Sequence, residues 1–195
     1  MVRIALYALV AVGIFWFFFL RSPDRPESIR GNQLRLFDES QGVQRHLEEG
    51  ETFEYETTPP AYGFHSPGSL QCGIWGEQQP SEPFVHSLEH GVVALLYDPE
   101  QVEPQTIERL EAIAGRFDSH MISMPFAGME HPITIVSWGE MMELDELDEP
   151  AVREYAETFR DQGPESGQQC PMQIDSPFVP EPTPSPSPSP SPTRN

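Results

Sequence analysis

The sequence predicts an α+β fold, with a mixed or antiparallel sheet covered by two helices and preceded by a single N-terminal transmembrane helix. Three observations lead to this prediction. Apolar segments in the body of the chain follow the order β, β, α, β, β, β, α. One long apolar segment lies near the N-terminus. The 22 Pro and 14 Gly among 195 residues indicate short elements joined by ordered loops rather than a helix bundle.

The first predicted element is a membrane helix. Residues 4–20 read IALYALVAVGIFWFFFL, 17 positions without a charged side chain, between Arg3 and Arg21. At about 1.5 Å per residue such a helix covers roughly 25 Å, near the lower limit for a bilayer core. A cleaved signal peptide has a shorter core that ends in small residues, whereas this segment ends in aromatic ones. We therefore expect an uncleaved signal anchor over residues 1–21.

The orientation of this anchor rests on two opposing signals. Four Arg follow the apolar segment within residues 21–35, which by the positive-inside rule mildly favours a cytoplasmic body. The body, however, carries two widely spaced Cys, as an oxidising compartment permits, and the chain ends in a Pro/Ser-rich tail. We expect a single-pass protein of the cell membrane with its globular domain on the extracytoplasmic side.

Two segments flank the predicted domain, which spans residues 42–176. Residues 22–41 are a polar juxtamembrane spacer with one weak helical stretch at 34–37. Residues 177–195 contain the low-complexity run PTPSPSPSPSPT, whose alternating Pro and Ser favour an extended, disordered, polyproline-II-like tail.

The elements of the domain follow from hydrophobic periodicity. Residues 52–57 (TFEYET) alternate as a half-buried strand, and 92–97 (VVALLY) form a buried strand. A helix over 104–117 begins at Pro104 and places its apolar residues on one face. The same patterns predict strands at 120–124, 133–138 and 140–144 and a helix at 150–159.

The charge of the chain excludes one class of partner. The formal net charge is −20, and all 11 basic residues are Arg. Without a Lys/Arg patch to displace counterions, nucleic acid is not an expected partner. The sequence also lacks a phosphate-binding loop, a dinucleotide fingerprint and a G-x-S-x-G nucleophile motif, so it indicates no reaction class.

The segment most indicative of chemistry is residues 81–91, SEPFVHSLEHG. A short helix with Ser81 as its N-cap and Gly91 after its end places His86 and His90 one turn apart on one face. Two imidazoles at this spacing can share a metal ion, with Glu89 as a supporting or acid–base group. The letters also match the H-x-x-E-H pattern of inverted zincins, a weak signal. The alternative is two ordinary histidines whose ring nitrogens bond backbone groups.

Other residues offer weaker signals. His65 lies in PPAYGFHSPG, a loop stiffened by Pro, where it either serves a site or is incidental to packing of the neighbouring aromatic rings. Met121, Met124 and Met129 lie between His120 and His131, and their thioethers would suit copper(I). Methionines at strand positions are more often core residues, and we favour that interpretation.

Five strings in the chain resemble a known family. HLEEGETFEYETTPPAYGFHSP, QCGIWGE, VHSLEHGVVALLYDP, PFAGMEHPITIVSWG and GPESGQQC, in that order, are similar to the uncharacterised bacterial domain of unknown function 3105. The resemblance covers residues 46–170, and members are similarly anchored at the N-terminus or exported. It implies that the motif histidines are His46, His65, His86 and His90, and that Cys72 and Cys170 fall at the family's cysteine positions and pair as a disulfide. His120 and His131 lie outside the pattern.

These observations leave three hypotheses. The first, which we prefer, is a membrane-anchored extracytoplasmic domain that binds copper or zinc through His46, His65, His86 and His90 without catalysing a reaction. The second is a zinc hydrolase in which three His hold the metal and Glu89 activates its water as a general base. The third is a structural or interaction module of the cell envelope.

Overall fold

The computed structural model describes residues 29, 32–36 and 45–173 of the chain. The predicted anchor and the Pro/Ser-rich tail lie outside these residues. Within the described part of the chain, no helix is both long and apolar enough to cross a membrane.

A mixed sheet of six strands forms the centre of the domain. The strand order across the sheet is β1-β6-β5-β3-β4-β2. The pairs from β1 to β3 are antiparallel, whereas β4 pairs in parallel with both β3 and β2. The strands are β1 (Gln33–Leu36), β2 (Gly73–Ile74), β3 (Val93–Tyr97), β4 (Met121–Pro125), β5 (Ile133–Ser137) and β6 (Glu140–Leu144).

Helices cover both faces of this sheet. The described helices are α1 (Ser81–Glu89), α2 (Pro104–Ala114) and α3 (Glu149–Phe159). Leu110 of α2 and Tyr155 of α3 belong to one hydrophobic cluster, and Phe84 and Leu88 of α1 belong to another. Strand β3 alternates between these clusters, so both of its sides are buried and both faces need cover. The prediction of two covering helices was therefore short by one, because α1 packs on the opposite face from α2 and α3.

Residues 52–57 do not form the predicted strand. Their burial does alternate, since Phe53 and Tyr55 are half-buried between exposed neighbours. These rings pack against the loop at Gly63 and Phe64 instead of against a strand, and the Tyr55 hydroxyl donates to the Phe64 carbonyl at 2.8 Å. Alternating burial here comes from an extended loop, which the sequence pattern does not distinguish from a strand.

Residues Gln33–Leu36 form strand β1, where the sequence predicted a weak helical stretch at 34–37. Antiparallel pairing with β6, in which Arg35 lies opposite Met141, overrides the weak local preference. The Arg35 guanidinium also lies 2.8 Å from the Glu143 carboxylate across the pair. The two residues of β2 are too few to give any sequence pattern.

A two-residue turn, Trp138 and Gly139, joins β5 to β6. Ser137 pairs with Glu140, and Gly139 has a φ of +73°, a left-handed conformation that favours glycine. The turn places the Trp138 ring edge-on to the His65 ring, with centroids 6.0 Å apart. The hairpin thus covers one side of the histidine cluster described below.

The predicted disulfide between Cys72 and Cys170 is confirmed, with the two Cα atoms 5.6 Å apart and a sequence separation of 98. It ties the C-terminal segment of the domain to β2, where Gln173 N donates to Cys72 O at 3.0 Å.

Candidate metal centre

The loop that carries His65 lies along α1 and is fixed to it at three points. Ser66 N donates to Glu82 O at 3.3 Å, and Ser66 O accepts a hydrogen bond from His86 Nδ1 at 2.7 Å. Further along the loop, Leu70 N donates to Ser87 Oγ at 2.8 Å. The hydroxyl of Ser87 in turn donates to Pro83 O, so this serine serves the structure of the loop and helix.

The segment that carries His46 pairs with the same loop. Leu47 N donates to His65 O at 2.7 Å, and His65 N donates to Arg45 O at 3.2 Å. These bonds form an isolated parallel bridge between His46 and His65. Backbone pairing therefore brings together two histidines that are 19 positions apart in the sequence.

The four predicted histidines form one contiguous group of rings. The ring centroids of His46 and His65 are 5.2 Å apart, and each lies 4.9 Å from that of His86. The His90 ring lies 4.4 Å from the His86 ring, as expected for residues one helical turn apart.

Ligand atoms, however, divide these residues into two groups that share His86. The inner group comprises His46, His65, His86 and Glu89, and the outer group comprises His86, His90 and Glu165; within each, all ligand atoms lie within 4.8 Å of one another. Each group is placed so that it can hold a metal ion. The sequence-predicted set of four histidines is thus not one group, since Glu89 joins the inner three and His90 faces Glu165.

Backbone carbonyls fix the ring orientation of two inner histidines. His65 Nδ1 lies 2.9 Å from Gly63 O, and His86 Nδ1 lies 2.7 Å from Ser66 O. Because a carbonyl only accepts, Nδ1 carries the hydrogen and Nε2 of the neutral ring keeps its lone pair. Metal-binding histidines commonly donate their other N–H to such a carbonyl.

The contact between His65 and Glu89 is the most informative one in the centre. The two side chains are 1% and 2% exposed, and His65 Nε2 lies 3.0 Å from Glu89 Oε2. No aligned hydrogen bond to His65 Nε2 exists among the described residues. A neutral imidazole lone pair and a carboxylate are both acceptors, so this arrangement requires a positive charge between them. A proton or a metal ion supplies that charge.

Burial also shifts the protonation of the inner group. It raises the pKa of Glu89, although the nearby His65 opposes this shift. It lowers the pKa of His86, with the hydrogen bond to Ser66 opposing and the neighbouring imidazoles adding to the shift. Burial therefore favours the neutral form of His86, which a metal ion needs, and it favours a proton on Glu89, with which a metal ion would have to compete.

Glu165 is a site residue that the sequence reasoning missed. Its segment closes over the end of α1: Asp161 N donates to Gly91 O at 2.8 Å and Glu165 N donates to Glu89 O at 3.0 Å. This places Glu165 Oε2 3.6 Å from His90 Nε2. Glu165 belongs to the string GPESGQQC, which carries part of the family resemblance. Membership of that string is the sequence signal that points to it.

The remaining histidines and methionines lie outside both groups. His120 Nε2 bonds Gln168 O at 2.7 Å, and His131 Nδ1 lies 2.9 Å from Asp145 Oδ1. In a third set of possible ligands, Glu130, His131 and Glu143, both carboxylates are already paired with Arg35. The methionines are core residues: Met121 is buried in one cluster, and Met124 and Met129 in the other.

The fold and this centre define an α+β domain with a candidate metal centre built from one helix, the His65 loop and the two segments that carry His46 and Glu165. A family model for a protein of unknown function, DUF3105, matches residues 46–172, and the chain belongs to that family. The match begins at His46 and includes Glu165 and both cysteines. Searches of curated proteins and of solved structures found no match.

Proposed function

We propose that this domain binds one metal ion, zinc or copper, at the inner group of His46, His65, His86 and Glu89. The observation that carries the proposal is the buried His65 Nε2, which faces the Glu89 carboxylate without an aligned hydrogen bond. A metal ion between the two would satisfy both acceptors at once, and the two outward-facing Nδ1–H groups leave the ring lone pairs available for it.

The ligand set favours particular ions. Three imidazoles and a carboxylate suit zinc(II) and copper(II), whereas copper(I) prefers thiolates and thioethers. Both cysteines are in the disulfide, and the methionines near His120 are core residues. We therefore favour a divalent ion.

The position of Glu89 also bears on the hydrolase hypothesis. A general base contacts the metal-bound water, whereas Glu89 Oε2 contacts the nitrogen of a candidate ligand. Glu89 therefore fits the role of fourth ligand better, and four protein ligands favour binding over catalysis.

The test is metal analysis of tag-free protein after dialysis against zinc or copper(II). We expect one ion per chain in the wild type and loss of the ion in a His65→Ala, His86→Ala double variant. The control is His120→Asn, because His120 has a φ of +54° that Asn tolerates and Ala does not. Unchanged metal stoichiometry in the double variant would contradict the proposal. It would favour the hypothesis of a structural or interaction module.

We further propose that the anchor at residues 1–21 holds this domain on the extracytoplasmic side of the cell membrane. The disulfide supports this location, because such bonds persist in oxidising compartments. Protease added to intact spheroplasts should degrade the domain. Protection of the domain until the membrane is broken would place it in the cytoplasm instead.

A further inference from the structure

We propose that the outer and inner groups are two successive positions of one metal ion, which binds first at His86, His90 and Glu165 and then moves inward. The inference rests on the proposed function, since it describes how the inner group is loaded. It adds a second, transient metal position and assigns a role to His90 and Glu165.

Because His86 belongs to both groups, a metal ion that uses this ligand occupies only one of the two positions at a time. His86 Nδ1 is committed to Ser66 O, so Nε2 is the remaining nitrogen of that ring. It lies 3.0 Å from His90 Nε2 on the outer side, while the ring also packs against His46 and His65 on the inner side. One lone pair binds one ion at a time, so His86 serves either position but not both. The stoichiometry stays at one ion.

The outer residues Glu165 and His90 are more exposed than the two innermost residues, His65 and Glu89. The Glu165 side chain is 50% exposed and that of His90 is 16% exposed, whereas His65 and Glu89 are almost completely buried. A hydrated cation that approaches from the end of α1 therefore meets Glu165 and His90 before it reaches the buried carboxylate, whereas an approach from the other side meets the exposed His46. The inward move exchanges His90, Glu165 and the remaining water for His46, His65 and Glu89, and His86 is the ligand that is kept.

The fold fixes the outer group independently of any ion. Glu165 N bonds Glu89 O, the last carbonyl of α1, so the residue that carries the outer carboxylate is held against the residue that carries the inner one. The formal charge of Glu165 draws cations to this end of the helix, and such steering raises association rates.

The experiment compares the kinetics and the equilibrium of cobalt(II) binding in wild type and Glu165→Gln. Cobalt(II) replaces zinc and reports its ligands by visible absorbance. We expect stopped-flow loading to slow by about tenfold or more in the variant, because steering and the first ligand are both lost. Release to excess EDTA should slow in parallel, so the dissociation constant should stay within about threefold of the wild-type value. A tenfold change in that constant corresponds to about 1.4 kcal/mol, so the expected change in binding free energy is well below this.

The matched control is Glu157→Gln, which removes one carboxylate from an exposed position of α3 and keeps the same net charge as the test variant. It should load at the wild-type rate. Unchanged loading in Glu165→Gln would overturn the inference and indicate access past His46, whose side chain is exposed. A dissociation constant weakened as much as the loading rate, with release unchanged, would also overturn it. Absence of cobalt binding by the wild type would instead refute the proposed function itself.

Discussion

Glu89 is a carboxyl group buried at the end of α1 beside an imidazole nitrogen that has no hydrogen to offer in its favoured tautomer. Such a placement costs stability in the metal-free protein, because burial removes the solvation of the carboxylate and its neighbour can only accept a hydrogen bond. Residues that reduce stability in this way are characteristic of binding sites, where the ligand supplies the missing interaction.

A Glu89→Gln variant should therefore change affinity and stability in opposite directions. The amide NH₂ can donate to His65 Nε2, so the metal-free protein should be at least as stable as the wild type. The neutral amide is a poor ligand, so zinc affinity should fall by about tenfold to a hundredfold. Competition with a chromophoric chelator measures the affinity, and thermal unfolding with EDTA present measures the stability.

Glu157→Gln serves as the control here too, since it should alter neither quantity. A Glu89→Gln variant that loses stability and keeps its zinc affinity would show that Glu89 acts only as a structural partner of His65.

The pH dependence of binding follows from the pKa shifts of two inner residues. The lowered pKa of His86 means that protons compete for this ligand only below its ordinary value of about 6.5. The raised pKa of Glu89 means that its proton is still bound above the ordinary carboxyl range and must leave when a metal ion binds. Protons on both residues compete with the metal ion, so zinc affinity should fall as the pH decreases below 6.5.

Titration calorimetry in two buffers of different ionisation enthalpy checks this dependence. It should show net proton release on zinc binding that increases as the pH is lowered below 6.5. Affinity that does not change between pH 4.5, the ordinary pKa of a glutamate, and pH 7.5 would exclude these protonatable ligands.

At the level of single residues, the sequence indicated the four histidines but not their division between the inner and outer groups. The spacing of His86 and His90 follows from helix geometry, which is local. The pairing of His46 with His65 and the approach of Glu165 to His90 are long-range contacts, and no periodicity encodes them. Glu89 was recognised, but its contact with His65 depends on how the loop packs against α1.

The end of α1 is an element boundary on which the whole centre depends. The last helical carbonyl, Glu89 O, accepts from Glu165 N, and Gly91 follows with a φ of +84°. Gly163 packs so closely here that an added Cβ would lie 2.1 Å from Glu89 O and 2.4 Å from Gly91 N. Only glycine fits between the helix end and the segment that covers it.

Gly163→Ala should therefore displace this segment from α1. We expect a loss of about 2 kcal/mol or more in the free energy of unfolding, as for other overpacked sites. Slower cobalt loading should accompany it, because Glu165 moves away from His90. Urea denaturation and stopped-flow absorbance give the two quantities.

Gly76→Ala is the matched control, because its Cβ would meet nothing within 4 Å. Equal stability of the two alanine variants would mean that the covering segment moves freely, and the fixed position of Glu165 would then lose its basis.

The elements that the sequence predicted well are those with strong local patterns. The apolar run of β3 and the one-sided apolar faces of α2 and α3 are examples. The prediction of a strand at 52–57 was wrong, because burial against a loop gives the same alternation as burial in a sheet. The prediction of a helical stretch at 34–37 was wrong, because pairing with β6, more than 100 positions away, decides the conformation of this segment.

Across the whole molecule, the disulfide joins the two regions that flank the centre. Cys72 follows the His65 loop and precedes α1, and Cys170 follows the segment that carries Glu165. The two cysteines are 98 residues apart in the sequence. The bond between them therefore encloses α1, strands β3 to β6, α2 and α3 in one covalent loop.

A Cys72→Ser, Cys170→Ser double variant should consequently lose about 4 to 5 kcal/mol of unfolding free energy, the chain-entropy value for closing a loop of about 100 residues. The reason is that the bond restricts the unfolded chain, and a longer loop loses more freedom when it is closed. Urea denaturation of the wild type under oxidising and reducing conditions, beside the double variant, measures the effect. Reduction of the wild type should reproduce the variant's midpoint, and reductant should leave the variant itself unchanged. Coincident midpoints for the oxidised wild type and the variant would show that contacts in the native fold, and not the covalent loop, hold the segment with Glu165 against α1.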